Sequence, residues 1–309
     1  MKRIALCMIA LAAAGGCKKK TGGPTGGSWF VGPHGLMANM HDDGTLGAGY
    51  ALGDDSNLQD IACRGADVAF VAGDHGAVLR TYDGGESWES IDLGADVTLR
   101  SIAAQREHTI YVAGDRTLAV SDDDGASWRT IDRGDYVSVT AGHWSYRALA
   151  LDSAGRVISF DAVHGTLTPV AQLAGARVVA FSGDGTRAAI LGAGTTALVS
   201  SDAGASFRSI ELGARYDLND AWVTAQGEVF AVGADGTVLT IDATGAISAD
   251  HVSDTNLRTI RLEADGVGVV AGDDGQALRT VDHGLSWAPF GPNVGGAVSG
   301  VDTTNGDGW

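Results

Sequence analysis

Apolar residues recur at an almost constant interval along the chain: Leu58, Leu99, Val139, Val178, Leu218, Leu257 and Val298, with steps of 41, 40, 39, 40, 39 and 41. A period this even marks a chain built from copies of one supersecondary unit, as in a propeller or a solenoid. A turn glycine repeats with it, at Gly32, Gly73, Gly114, Gly192, Gly233 and Gly272.

The clearest copy runs from Leu58 to Gly94. Leu58–Ala62 and the apolar run Val68–Ala72 read as two strands. Gly73-Asp74-His75-Gly76 is a turn with glycines for positive φ. Ala77–Tyr82 and Trp88–Leu93 read as two more strands, separated by a second tight turn. Runs this short, broken by Gly and Asp, cannot be helices of useful length. One such unit buries too little to stand alone and must stack on its neighbours.

The two ends complete one unit. Residues 29–57 match 70–98 at an offset of 41, so the N-terminal part supplies the last three strands and lacks the first. Ala297–Val301 supplies a first strand. The expected fold is therefore all-β: a seven-bladed propeller of four-stranded antiparallel blades, closed by a C-terminal strand joining the N-terminal three, with no open edge. Trp29 and Trp309 map to nearly the same site, so one of them should be displaced.

The second turn recurs as Asp83 to Trp88, Asp123 to Trp128, Asp202 to Phe207 and Asp282 to Trp287, each Asp-x-Gly-x-Ser-aromatic. The Asp carboxylate can accept turn N–H groups and the aromatic can pack between blades. These turns resemble the Asp-box, or BNR repeat, of sialidases and other propellers. The longer pattern resembles the seven-bladed propellers related to the photosystem II assembly and stability factor: Phe70-Val-Ala-Gly-Asp-His-Gly, then Thr81-Tyr-Asp-Gly-Gly-Glu-Ser-Trp88. The resemblance covers nearly all of 28–309. It implies a non-catalytic assembly module that binds a membrane-protein partner.

Residues 1–17 read as a lipoprotein signal: Lys2-Arg3, an apolar run Ile4–Ala14 too short for a permanent span, and a lipobox ending at Cys17, the expected lipidation site. Residues 18–27, with Lys18–Lys20 and a Gly-rich stretch, read as a flexible tether. Residues 28–309 are the propeller. The expected address is export, with a lipid anchor in the bacterial cell envelope, periplasmic or at the outer surface. Cys63 is then alone and expected buried as a small apolar residue.

From Thr21 onward 16 Arg face 38 Asp and Glu, a net charge of −22. No basic surface exists to pair with phosphates, which argues against nucleic acid as a partner. No Gly-x-Ser-x-Gly elbow, Walker loop or His-Glu-x-x-His appears, and the His residues lack metal-ligand spacing. Neither cofactor nor metal is expected. A sialidase-like glycosidase and a structural envelope component stay open as alternatives to the interaction module; the first needs paired carboxylates, and Glu86 and Glu89 lie at an Asp-box turn, away from the expected pocket. A monomer is expected.

The candidate partner face is the end formed by second-to-third-strand turns and blade links. It takes in Gln59, Asp60, Asp74, His75, Arg100, Arg116, Asn219, Asp220, Arg258 and Asp273. Arg100 and Arg258, at equivalent positions, form a candidate patch for anionic groups. Asp83, Trp88, Asp123, Trp128, Asp202, Phe207, Asp282 and Trp287 are assigned a structural role.

Overall fold

The structure, a computed structural model, describes residues 27–51, 56–105, 108–142, 147–161 and 166–304. Cys17, Lys18–Lys20 and Trp309 lie outside them.

The chain is all-β among the described residues, with three single 3-10 turns. The unit read from Leu58 onward forms one antiparallel sheet of Leu58–Cys63, Ala69–Gly73, Ala77–Thr81 and Glu89–Asp92. Closure follows the expected route: the strand Gly300–Thr303 pairs antiparallel with Gly27–Val31, placing Trp29 opposite Asp302. Trp29 is buried, edge-to-face with Trp88 at 5.5 Å.

The expected count of seven blades is corrected. The strands hydrogen-bond into six sheets, five of four strands and one of six. The six-stranded sheet merges the sequence units that follow residues 176 and 218. Its two long strands are Ala188–Ser200, of 13 residues, and Arg208–Val223, of 16. The first pairs with Ala176–Phe181 and then with the second; the second goes on to pair with Val229–Gly233. The connectors carry the cause. Residues 193–195 lack the Gly-Asp-x-Gly turn, and 213–217 hold one glycine and no proline. The two connectors meet and pair, Ala193 with Asp217 and Gly194 with Tyr216, before the register jumps to Thr196 opposite Glu211 across a bulge that takes in the left-handed Gly213.

Two alignment leaders also move. Register shifts fall between Leu58 and Asp60, Leu99 and Ser101, Tyr136 and Ser138, Ala176 and Val178, Leu218 and Asp220, and Leu257 and Thr259. Tyr136 and Ala176, not Val139 and Val178, therefore stand in the place of Leu58.

Apolar clusters lie between neighbouring units, as in Phe70, Val78, Leu99 and Val112. The Asp-box turns are built alike. Asp83 accepts the Ser87 N–H at 2.9 Å and the Ser87 hydroxyl at 2.6 Å, while Thr81 Oγ1 accepts the Gly85 N–H at 2.9 Å. Asp123, Asp202 and Asp282 repeat this with Ser127, Ser206 and Ser286. Gly85 is required twice over: its φ is +85°, and an added Cβ would lie 2.2 Å from the Trp29 ring. Trp88 is buried, and Trp128, Phe207 and Trp287 are half-buried.

Candidate functional site

The register shifts are β-bulges, each leaving one inner-strand residue unpaired: Gln59, Arg100, Val137, Arg177, Asn219 and Arg258. A bulge re-aims its side chain. Here it turns four of the ten candidate residues onto one rim of the propeller. Each then meets a group of its own neighbourhood. Gln59 donates to Asp74 at 3.3 Å, Arg100 pairs with Asp115, and Arg258 pairs with Asp273, the acid standing 15 residues later in each case. Asn219 accepts from Arg177 at 3.1 Å and donates to the Leu257 carbonyl at 2.8 Å. Burial alone would raise the Asp273 pKa; the bonds from Arg258 and from Asn256, at 2.8 Å, outweigh it and hold the carboxyl below its usual range. Arg100 and Arg258 are thus each neutralised within their own unit.

His75 and Arg116 sit at the left-handed position of their turns, φ 58° and 51°. His75 Nδ1 lies 3.0 Å from Asp96, with both side chains exposed, and the Arg116 N–H donates to Asp135 at 2.9 Å. Asp74, His75, Asp115 and Arg116 line a shallow cavity of about 250 Å³ on this rim.

Asp60 and Asp220 part from the other candidates. They lie one residue past the bulge, in the wall of a narrow axial channel of about 130 Å³. Asp60 accepts the Ile61 N–H at 2.8 Å and, from the next unit, the Ile102 N–H at 2.9 Å. Asp220 does the same with Ala221 at 2.8 Å and Ile260 at 3.0 Å. Ser101, Ser138 and Thr259 hold the equivalent position and accept the N–H of Val139, Val179 and Val301. The two carboxylates are members of a ring of clamps between units. Burial pushes the Asp60 pKa up to about 7, against the Ile102 bond that lowers it, and Asp220 adds repulsion. Burial also raises Asp220.

Arg261, Asp302 and Trp222 share this channel. Arg261 Nε donates to Asp302 at 2.6 Å, and its guanidinium lies 4.6 Å from the centre of the Trp222 ring. Burial would lower the Arg261 pKa, but Asp302 more than reverses it. Cys63, half-buried rather than fully enclosed, lines the channel, and burial pushes its thiol up, which favours the unreactive protonated form. The signal for these residues was in the repeat: Ala62, Ala103 and Ala180 occupy the position held by Trp222, Arg261 and Asp302 in later units.

At the opposite end, where first-to-second-strand loops meet the Asp-box turns, lies a larger cavity of about 580 Å³. It adjoins the channel, since Gly183 and Trp222 line both. Phe230, Val223 and Leu262 supply apolar wall; Asp184, Glu228, Glu263 and His283 stand among them. His283 belongs to the last Asp-box turn, so that turn borders a cavity.

Among the described residues no group of three or more His, Cys, Asp or Glu is placed to hold a metal ion, and no helix is long and apolar enough to cross a membrane.

A closed ring of antiparallel sheets with Asp-box turns and a polar axial channel defines a β-propeller. Residues 43–137 match the family described as photosynthesis system II assembly factor YCF48. A solved structure of YCF48 bound to D1 peptide is similar over 87% of this chain and 86% of its own, with a TM-score of 0.63 and 14% identity. YCF48 from Cyanidioschyzon merolae gives a TM-score of 0.63 and 17% identity, over 80% of this chain and 88% of that one. The WD40 propeller domain of Doa1 gives 0.66 and 14%, over 81% and 87%. No curated protein matches. The propeller is thus like that of the photosystem II assembly factors, as the turns in the sequence suggest.

Proposed function

We propose that this protein is a non-catalytic module that binds a protein partner through one end of its propeller, held at a membrane by the lipid on Cys17 in the exported protein. The observation that carries the reading is the 580 Å³ cavity beside the channel mouth, apolar in its wall and polar at its edge, the kind of concavity that takes side chains of a partner. The bound peptide of the YCF48 structure agrees with a binding role for the fold. Within the channel, Asp60, Asp220 and Asp302 spend their oxygens on backbone N–H groups and Arg261. That is the use of a clamp rather than of a general acid or base. The rim of Gln59, Asp74, His75, Arg100, Arg116, Asn219, Arg258 and Asp273 offers a second docking surface, favoured by the exposure of His75 and by its own shallow cavity.

The test is affinity capture from detergent-solubilised membranes with the full-length protein, followed by mass spectrometry. One reproducible partner is expected. Substitutions at the cavity, or Arg100→Ala with Arg258→Ala, then assign the end. Hydrolysis of a fluorogenic glycoside that a single carboxylate substitution abolishes would overturn the reading. Fatty-acid labelling lost on Cys17→Ser would establish the anchor, and label retained in that variant would refute it.

A further inference from the structure

The cavity beside the channel mouth carries a finer reading, which rests on the protein-binding function just proposed. Its ionisable lining is Asp184, Glu228, Glu263 and His283, with no lysine or arginine among the lining residues. Asp184 is held below its usual range: burial would raise it, and bonds from Ser182 at 2.5 Å and Thr186 at 3.0 Å more than offset that. Arg187, outside the lining, also lowers Asp184, but three carboxylates against that one arginine leave the cavity negative, within a propeller that is itself strongly acidic. Arg261, behind Trp222, is committed to Asp302.

A second observation comes from the turn that borders it. Val281 and Leu285 flank Asp282 and are 69% and 85% exposed. The turn does not need them: the place of Leu285 is taken by Glu86, Ala126 and Ala205 in the other Asp-boxes, and the place of Val281 by Tyr82, Asp122 and Ser201. Gly284, between them, sits directly over Phe230, whose ring lies 3.0 Å from where a Cβ would stand, so the exposed pair adjoins the cavity wall. Large apolar side chains held in water at a cavity edge mark an interaction surface.

We propose that this end of the propeller binds a basic peptide segment, taking an arginine or lysine side chain into the cavity toward Glu228 and Asp184 and an adjacent apolar side chain onto Val281 and Leu285. The long stem of a basic residue suits the apolar wall, and its charged head suits the carboxylates.

The test is calorimetric titration of the full-length protein at low salt with an acetylated, amidated pentapeptide, Gly-Leu-Arg-Leu-Gly. Citrulline and glutamate versions serve as controls. Saturable one-to-one binding is expected, at least ten-fold weaker for citrulline and absent for glutamate. Glu228→Gln with Leu285→Ser, both mild at their sites, should weaken the arginine peptide at least ten-fold, and Arg100→Ala with Arg258→Ala should not. No saturable binding, or binding unchanged in Glu228→Gln with Leu285→Ser, would overturn the site. The partner captured from membranes separates the two readings. A partner still captured by that variant, and not displaced by the peptide, refutes this site and leaves the binding function standing. Peptide binding with no captured partner does the reverse.

Discussion

Asp302 Oδ2 accepts the backbone N–H of Cys63 at 2.7 Å, joining residues 239 apart in sequence. The same carboxylate takes the Arg261 Nε at 2.6 Å. One side chain thus ties the closing strand Gly300–Thr303 both to the first complete unit and to the last. In five of the other units the residue one past the bulge makes the tie, Asp60, Ser101, Ser138, Asp220 or Thr259. Val178 and Gly300 have no polar side chain to do so, and next to Gly300 Asp302 supplies it two residues later.

Removing Asp302 leaves a half-buried guanidinium without its nearest counter-charge and a Cys63 N–H without its acceptor. Asp302→Ala should cost about 1–3 kcal/mol, the penalty for leaving such partners unsatisfied. Urea unfolding measures it. Arg261→Met with Asp302→Leu should recover much of the loss, because the stranded charge is then gone. A cost below about 1 kcal/mol for Asp302→Ala would show that the clamp does not hold the ring.

Asp60 gives a pH signature. Its folded pKa of about 7 lies above the ordinary carboxylate value near 4. Its contribution to stability is therefore full below about pH 4 and lost as pH rises through about 7. Asp60→Asn cannot ionise, but it can accept only one of the two N–H groups that Asp60 holds. The variant should be less stable than the parent at pH 5, with the gap shrinking by on the order of 2–4 kcal/mol by pH 8. Denaturant melts at the two pH values decide it; a gap independent of pH would refute the raised pKa.

The repeat, the closure and the Asp-box turns were legible because each rests on local chemistry repeated at one period: Asp, Gly and Ser at fixed offsets, and apolar runs between them. The merger of two units was not. It depends on connectors 193–195 and 213–217 meeting in space, and their sequences say only that no tight turn is encoded. The site was half legible. Position in the repeat placed Gln59, Arg100, Asn219 and Arg258 on one rim, but bulges do not announce themselves in sequence. Asp60 therefore read as a rim residue when it is turned into the channel wall. Arg261 and Asp302 stand four residues after Leu257 and Val298, where Leu58 and Leu99 have Ala62 and Ala103, so the repeat carried their signal, but only their meeting in the channel shows what they do.

Asp202 reports on the Asp-box itself. Its carboxylate accepts from Ser206 through both hydroxyl and N–H and from Ser200, which hold its pKa down to about 2. Its contribution is present above about pH 4 and lost as pH falls through about 2. A carboxyl-carbon NMR titration should give a midpoint near 2, moving toward the ordinary value in Ser206→Ala with Ser200→Ala. A midpoint near 4 in the parent would mean that the turn is not closed as described.

Asp124 and Ala203 hold the same place in two Asp-box turns, both left-handed, with φ of 55° and 57°. Glycine would relieve either backbone. For Ala203 nothing opposes this except the added freedom of the unfolded chain, so Ala203→Gly should be neutral or stabilise by up to about 1 kcal/mol. Asp124 is different. It is buried, 2.5 Å from His108 Nδ1, 3.1 Å from the Tyr82 hydroxyl and paired with Arg64 at 2.7 Å. Its pKa is lowered, since these bonds outweigh its burial. Asp124→Gly removes the acceptor for three groups and leaves Arg64, itself mostly buried, without its acid. A loss of about 1–3 kcal/mol is expected despite the relaxed backbone. Opposite signs in the two variants, read by denaturant melts at pH 7, would show that the left-handed strain at Asp124 is held by its partners in the neighbouring unit; equal gains in both would show that it is not.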